Sequence, residues 1–252
     1  MENKIEHFKP DFFVPGAAKS GTTTLHDLLN THHDISMSKD KEPVYWNNKL
    51  FHQFKLFEVS RYANLFEKNR KIKGESTTSY MYYDSFISNI KANFEYSPKF
   101  IFVLRNPVDR YVSHVNWLKG LGLEKKDVNQ VINEDDWANF SEYDDYPKQY
   151  YQFGLYNKWI SRFIKNFGKK NIKIITFEQL ISDRLKTLNS CYEFLGVEKV
   201  DNLKFIRSNK SKKIVFPFIY HFLRKSSQGK TKCTKIVKYV LPKKIREKIK
   251  GL

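Results

Sequence analysis

The stretch Phe12-Phe13-Val14-Pro15-Gly16-Ala17-Ala18-Lys19-Ser20-Gly21-Thr22-Thr23-Thr24-Leu25 constrains this chain more than any other, because a short apolar run enters a loop of small residues that opens a helical pattern. Gly16 and Gly21 allow tight turning, so successive backbone N–H groups and the positive end of the following helix converge on one point. A phosphate-like anion fits such a point. The two glycines have the spacing of the nucleotide loop G-x-x-x-x-G-K-[ST], but Thr22 occupies the lysine position and Lys19 lies inside the loop. A kinase-like enzyme using ATP is therefore disfavoured.

With 252 residues, 40% of them hydrophobic, the chain is long enough for one substantial core, and no Gly/Pro/Ser-rich linker divides it. It reads as one α/β domain over 1–252, with a basic helical tail from about residue 214. Charged residues make up 29% and leave no apolar run able to span a bilayer. The polar opening Met1–His7 lacks the apolar segment of a secretory signal, which leads to the expectation of a cytoplasmic protein. Cys191 and Cys233 are too few for a disulfide framework or a zinc cluster. His32 and His33 diverge on a loop without a metal-ligand pattern, so no metal is expected.

The formal charge of +18 is unevenly spread: Leu203 to Leu252 carries 16 Lys/Arg against one acid, Glu247, or +15 of the total. A basic nucleic-acid or anionic-membrane binder is the non-enzymatic alternative, yet no nucleic-acid motif accompanies the charge. From Pro242 a short helix would put Ile245 and Ile249 on one face, suited to packing on the domain, with peripheral membrane contact as the second role of the tail.

Hydrophobic periodicity places a helix over 22–29, an extended piece at 35–38, a helix within 50–66 and an edge or connecting strand at 71–75. Beyond these come a helix over 85–94, a helix over 154–167, a strand at 172–177 and a helix over 188–195 closed by Gly196. Lys99 to Leu104 is the clearest buried strand, a continuous apolar run of the parallel-sheet kind. It ends at Arg105-Asn106-Pro107, where Pro107 suits a first helical turn and Val108, Tyr111, Val112 and Val115 supply the buried stripe. Arg105 thus stands at the carboxyl end of a strand, where open α/β sheets bind ligands. The segment 119–150 is rich in acids and aromatics and reads as a lid or acceptor-facing insertion. Trp46, Tyr80, Tyr82 and Trp117 are expected in core packing ahead of stacking on an acceptor.

Two motifs carry a family resemblance. Lys19-Ser20-Gly21-Thr22-Thr23 resembles the 5′-phosphosulfate loop of sulfotransferases that use 3′-phosphoadenosine 5′-phosphosulfate (PAPS), and Arg105 to Ser113 resembles their second signature, whose Arg and Ser hold the 3′-phosphate. The resemblance runs from about Phe12 to Lys213 and implies a P-loop-like three-layer fold, a central parallel sheet flanked by helices. It implies PAPS as donor, PAP as product and no metal. Lys19, Ser20, Gly21, Thr22, Thr23, Thr24, Arg105 and Ser113 would bind the donor, with Lys210 or Lys212 from a basic loop. Lys41-Glu42-Pro43 lies where glycan sulfotransferases of the heparan sulfate type, and their bacterial relatives, carry a catalytic Glu, and Gly74 to Tyr80 is similar to a second segment of theirs. The match departs at Val44, where a His is frequent, and at Ser76, where many members have Lys.

Sulfuryl transfer asks a protein to align two oxygens and to meet the charge moving onto the leaving phosphate. Lys19 suits the leaving side. Glu42, kept off the helical region by Pro43, suits proton removal from a hydroxyl. The expected activity is sulfuryl transfer from PAPS to a hydroxyl of a carbohydrate or glycoconjugate, with a small-molecule or lipid acceptor as the alternative and no nucleic-acid partner.

Overall fold

The computed structural model describes residues 6–132 and 146–203. These fall into two compact units, the larger comprising 6–114, 132 and 146–203 and the smaller 115–131. The sequence-expected donor residues Lys210 and Lys212, the basic tail, Cys233 and the middle of the proposed lid, residues 133–145, lie outside the described residues.

The larger unit is built on five parallel strands, β1 (Phe12–Gly16), β2 (Ile35–Met37), β3 (Ile72–Ser76), β4 (Lys99–Leu104) and β5 (Ile172–Thr176), in the order β2-β3-β1-β4-β5. Strand alternation explains the layers. Phe12 and Val14 point with Ile101, Val103 and Ile175 to one face, where α1 (Thr22–Leu29) and α8 (Arg184–Leu195) supply Leu25, Leu29, Leu188 and Tyr192. Phe13, Phe100 and Phe102 point to the other, against α2 (Leu56–Ala63), α3 (Asp84–Asn93) and α6 (Tyr156–Phe167). Helix–sheet–helix layering is the three-layer arrangement expected from the sequence.

The topology fixes the working edge. From β1 the chain steps out to β2, returns through β3, and then crosses to β4 on the far side of β1. Strand order therefore reverses around β1, and its carboxyl edge is a switch point of the kind that opens a ligand crevice. The loop after β1, the segments after β2 and β3, and Arg105 after β4 all leave the sheet at this edge.

Several local expectations are corrected. The strand at 72–76 is interior, between β2 and β1, and the edge is β2. Its Lys73, Glu75 and Ser76 read as edge chemistry, but the buried Glu75 and Ser76 are hydrogen-bonded inside. The single helix expected within 50–66 breaks into a 3₁₀ turn, Phe51–Gln53, and α2. Phe54 is extended between them and its ring lies 5.0 Å from that of Tyr45, which draws the chain out of helical register. Helix α4 (Pro107–Gly120) forms as expected, but Val108 is 68% exposed. Tyr111 and Val115 are buried as expected, but they share the buried face with Arg110 and His114, and Arg110 donates to the Tyr150 carbonyl. In the smaller unit, α4 ends and α5 (Val128–Val131) follows, with Lys119 paired to Asp127.

Trp46, Tyr80 and Tyr82 are buried, which assigns them to the core. Gly196 closes α8 in the left-handed conformation at φ 83°, as the sequence indicates. Among the described residues no helix is long and apolar enough to cross a membrane.

Candidate active site

The loop after β1 is shaped by two close approaches. A Cβ at Gly16 would meet Met81 Cβ at 2.8 Å, and one at Gly21 would meet the Phe177 ring at 2.5 Å. Gly21 also has φ +88°, a region that favours glycine. As the N-cap of α1, Gly21 offers no side chain to the first-turn N–H groups of Thr22, Thr23 and Thr24, which leaves that helix end shaped for an external anion. Thr22 is buried, Thr23 exposed and Thr24 half-buried. Ser20 is wholly buried, and its Oγ lies near the Tyr156 phenol without a partner of hydrogen-bond geometry. A buried hydroxyl left in that state suits an oxygen-rich ligand.

Lys19 lies in the loop at φ +66°. Burial, and then the neighbouring charges of Lys41 and Arg105, lower its pKa from 10.5 to about 8. Three cations thus share one region from three separate strand ends. Such crowding is unfavourable without an anion and favourable with one.

Arg105 is held at this edge by the first residues of α6 and of the helix after β5. Its guanidinium lies 4.9 Å from the centre of the Phe177 ring, and its carbonyl accepts from the Tyr156 hydroxyl at 2.8 Å. Glu178 accepts the Asn106 N–H at 3.0 Å, which lowers the pKa of its carboxyl, and so ties α7 (Phe177–Ser182) to the turn after β4. Ser113 stands half-buried on α4, eight residues on, about 12 Å along the helix axis.

Glu42 occupies the segment after β2. Its N–H donates to the Ser76 carbonyl at 2.9 Å, and its carboxylate accepts from the Thr78 N–H at 2.8 Å and from Lys41 Nζ. Thr78 Oγ1 donates to it as well, at 3.2 Å. The backbone is left-handed at Glu42 (φ 61°) and again at Val44 (φ 54°), a β-branched residue for which this is a strained conformation. Strain of this kind persists only where surrounding contacts over-determine it, and it is concentrated at functional segments.

The sulfotransferase domain family matches residues 9–243 of this chain. The chain belongs to the sulfotransferase family. It is 23% identical over 254 residues to carbohydrate sulfotransferase 15 of Rattus norvegicus, covering 76% of this chain and 45% of that protein. To heparan sulfate glucosamine 3-O-sulfotransferase 3B1 of Mus musculus it is 24% identical over 205 residues, covering 81% and 50%. The chain therefore spans about half the length of these curated relatives. A sulfotransferase from Alicyclobacillus acidocaldarius shares the fold at a TM-score of 0.66 and 23% identity, over 88% of this chain and 91% of that one. A mouse sulfotransferase complexed with PAP shares it at 0.53 and 18%, over 79% and 63%.

Two features of this site escape a reading of the sequence. One is Phe177, the platform common to Gly21 and Arg105, whose part depends on a contact through space. The other is a buried polar network beneath Glu42. Glu75 is fully buried and accepts from Thr77 Oγ1 at 2.6 Å and from the Tyr62 hydroxyl. The Tyr62 oxygen in turn receives Trp46 Nε1–H at 3.0 Å, and the Tyr80 oxygen receives the Trp46 N–H at 3.0 Å. Burial raises Glu75 from 4.5 to about 7, against the lowering effect of its hydrogen bonds from Thr77, Tyr62 and Tyr80. The cluster His32, His33 and Asp34 has ligand atoms close enough for a metal. Both ring nitrogens of His32 are already engaged, Nε2 with the Glu198 carbonyl at 3.0 Å and Nδ1 with the Asp34 N–H at 3.1 Å. That histidine fastens the end of α1 to the segment after α8.

Proposed function

We propose that this chain transfers the sulfuryl group of PAPS to a hydroxyl of a carbohydrate or glycoconjugate. One observation carries the reading: a clamped carboxylate, Glu42, lies in the same electrostatic cluster as the cations Lys19, Lys41 and Arg105, at the switch-point edge of the sheet. Support for the donor comes from the buried Ser20 hydroxyl and the uncapped helix end, which fit a phosphosulfate, and from the family's second signature at Arg105 and Ser113. Support for the acceptor comes from the carbohydrate and heparan sulfate sulfotransferases among the relatives.

Bound at this edge, PAPS supplies an activated sulfuryl group. Glu42 takes the proton of the acceptor hydroxyl as the acceptor oxygen bonds to sulfur, while the bond between sulfur and the phosphate oxygen breaks. General-base help of this kind is typically worth 10²–10⁴-fold. Lys19 and the N–H groups at the start of α1 meet the charge that gathers on the leaving phosphate, and each such donor lowers the barrier by roughly 3 kcal/mol. Arg105 and Ser113 hold the 3′-phosphate, a group that ATP lacks.

The test has two arms. Thermal shift with PAP, ATP and a DNA duplex should give a clear stabilisation with PAP and much smaller shifts with the others. Release of PAP from PAPS should then be stimulated by unsulfated heparosan or chondroitin chains more than by phenols, lipids or a DNA duplex. Equal shifts with PAP and ATP would count against the donor, and stimulation by phenols or lipids alone would move the acceptor class.

A further inference from the structure

We propose that His26 is a positioning residue for Glu42, a ring on the anion-loop helix that braces the end of β3, where the segment gripping the carboxylate leaves the sheet. The proposal rests on the reading of Glu42 as the base. His26 is buried on the inward face of α1, one turn past Thr22. Its Nδ1 lies 2.9 Å from Oγ of Ser76, the last residue of β3.

Ser76 leads directly to Glu42. Its carbonyl accepts the Glu42 N–H, and two residues further on Thr78 grips the carboxylate with its N–H and its hydroxyl. One ring therefore braces the base of the segment that grips Glu42, and it does so from the helix whose opening amides face the donor. The strained φ of Glu42 needs such bracing, because a left-handed residue before a proline relaxes once its anchors loosen.

The charged groups facing the ring are Lys41, which disfavours its protonation, and Glu42, which favours it; Asp27 is its sequence neighbour. Burial, and then Lys41, outweigh Glu42 and hold His26 neutral through the physiological range, at a pKa of about 4. A neutral ring serves as a brace and leaves proton transfer to the carboxylate.

The experiment is a double-mutant cycle read by PAP release from PAPS, with heparosan oligosaccharide and with water alone as acceptors. His26→Leu should lower the rate at least ten-fold while the PAPS KM stays within about two-fold, and His26→Gln, which keeps both an acceptor and a donor, should recover most of the loss. In the Glu42→Gln background His26→Leu should add nothing, because its effect passes through Glu42. The same fold-loss in both backgrounds, or no loss in a folded His26→Leu protein, overturns the proposal. If Glu42→Gln itself has no effect, the base assignment has failed instead. Amide exchange then decides the brace alone: residues 38–44 and 76–79 should exchange several-fold faster in His26→Leu and return towards wild type in His26→Gln, and unchanged exchange overturns it.

Discussion

The Arg105 guanidinium lies 4.9 Å from the centre of the Phe177 ring, and the same ring fills the space a side chain at Gly21 would need. One aromatic residue at the start of α7 therefore sets both the anion loop and the arginine expected to hold the 3′-phosphate. Two motifs some 80 residues apart in sequence are registered by a third element.

Replacing Phe177 by Ala should loosen both partners at once. A partly exposed cation–π contact is worth about 0.5–1 kcal/mol, and the loss of packing against the loop adds to it. PAP affinity measured by calorimetry should fall roughly five- to ten-fold. Because Arg105 loses its platform in the variant, Phe177→Ala and Arg105→Ala should be less than additive in combination. Full additivity would mean that the ring acts on Gly21 alone.

How much of this site is legible in the sequence depends on how local the signal is. The loop 16–21 and the strand 99–104 are read correctly because glycine spacing and a continuous apolar run are short-range features. Helix α1 starts and ends where its leucine periodicity places it. The position of β3 is not legible, since its polar residues are satisfied by partners 13 and 50 positions distant, Tyr62 and His26. The exposure of Val108 is likewise not legible: Tyr111 and Val115 are buried as the pattern indicates, but the buried Arg110 on the same helix carries no hydrophobic signal. Glu42 was identifiable from Lys-Glu-Pro, but the proline argument gives only that it lies off the helical region. That it is left-handed and held by Thr78 is decided by the neighbouring strand.

Lys19 should give donor binding a pH dependence of its own. Burial and the charges of Lys41 and Arg105 hold its pKa at about 8, so it begins to lose its proton just above neutrality. PAP binding should weaken as pH rises through about 8 in wild type, and this step should be absent in Lys19→Met. The free protein should meanwhile be stabilised by Lys19→Met near pH 7, because a charged ammonium is removed from a cationic cluster. Thermal melts of both proteins with and without PAP check the two effects together. A less stable Lys19→Met protein would show that the contacts of the ammonium outweigh its burial and the neighbouring charges.

Glu42→Gln is close to isosteric and retains an acceptor for the Thr78 N–H. Donor affinity should stay within about two-fold, while sulfuryl transfer falls by two to four orders of magnitude, roughly the general-base contribution. Single-turnover release of PAP separates the chemical step from binding. Turnover within a few-fold of wild type would move the search for the base to Glu75 or His114.

Stability should depend on pH through three buried groups, two histidines and one carboxyl of opposite sign. Burial and Lys41 lower His26 from 6.5 to about 4. Over that window the unfolded chain takes up a proton that the folded one refuses, so stability is lost as pH falls from 6.5 towards 4. His114, lowered by burial and by Arg110, acts in the same direction. Burial raises Glu75 from 4.5 to about 7, so between those values the unfolded chain releases a proton that the folded one keeps, and stability is lost as pH rises. With two histidines acting against one carboxyl, wild-type Tm should rise only gently with pH between 4.5 and 6.5. Glu75→Gln removes the carboxyl, and its Tm should climb more steeply with pH over this range and show no decline towards pH 7. Melting curves at pH 4.5, 5.5, 6.5 and 7.5 test the point. Parallel profiles for the two proteins would mean that Glu75 titrates alike in the folded and unfolded chain, and that the Tyr62 and Thr77 hydroxyls fully offset the burial of its charge.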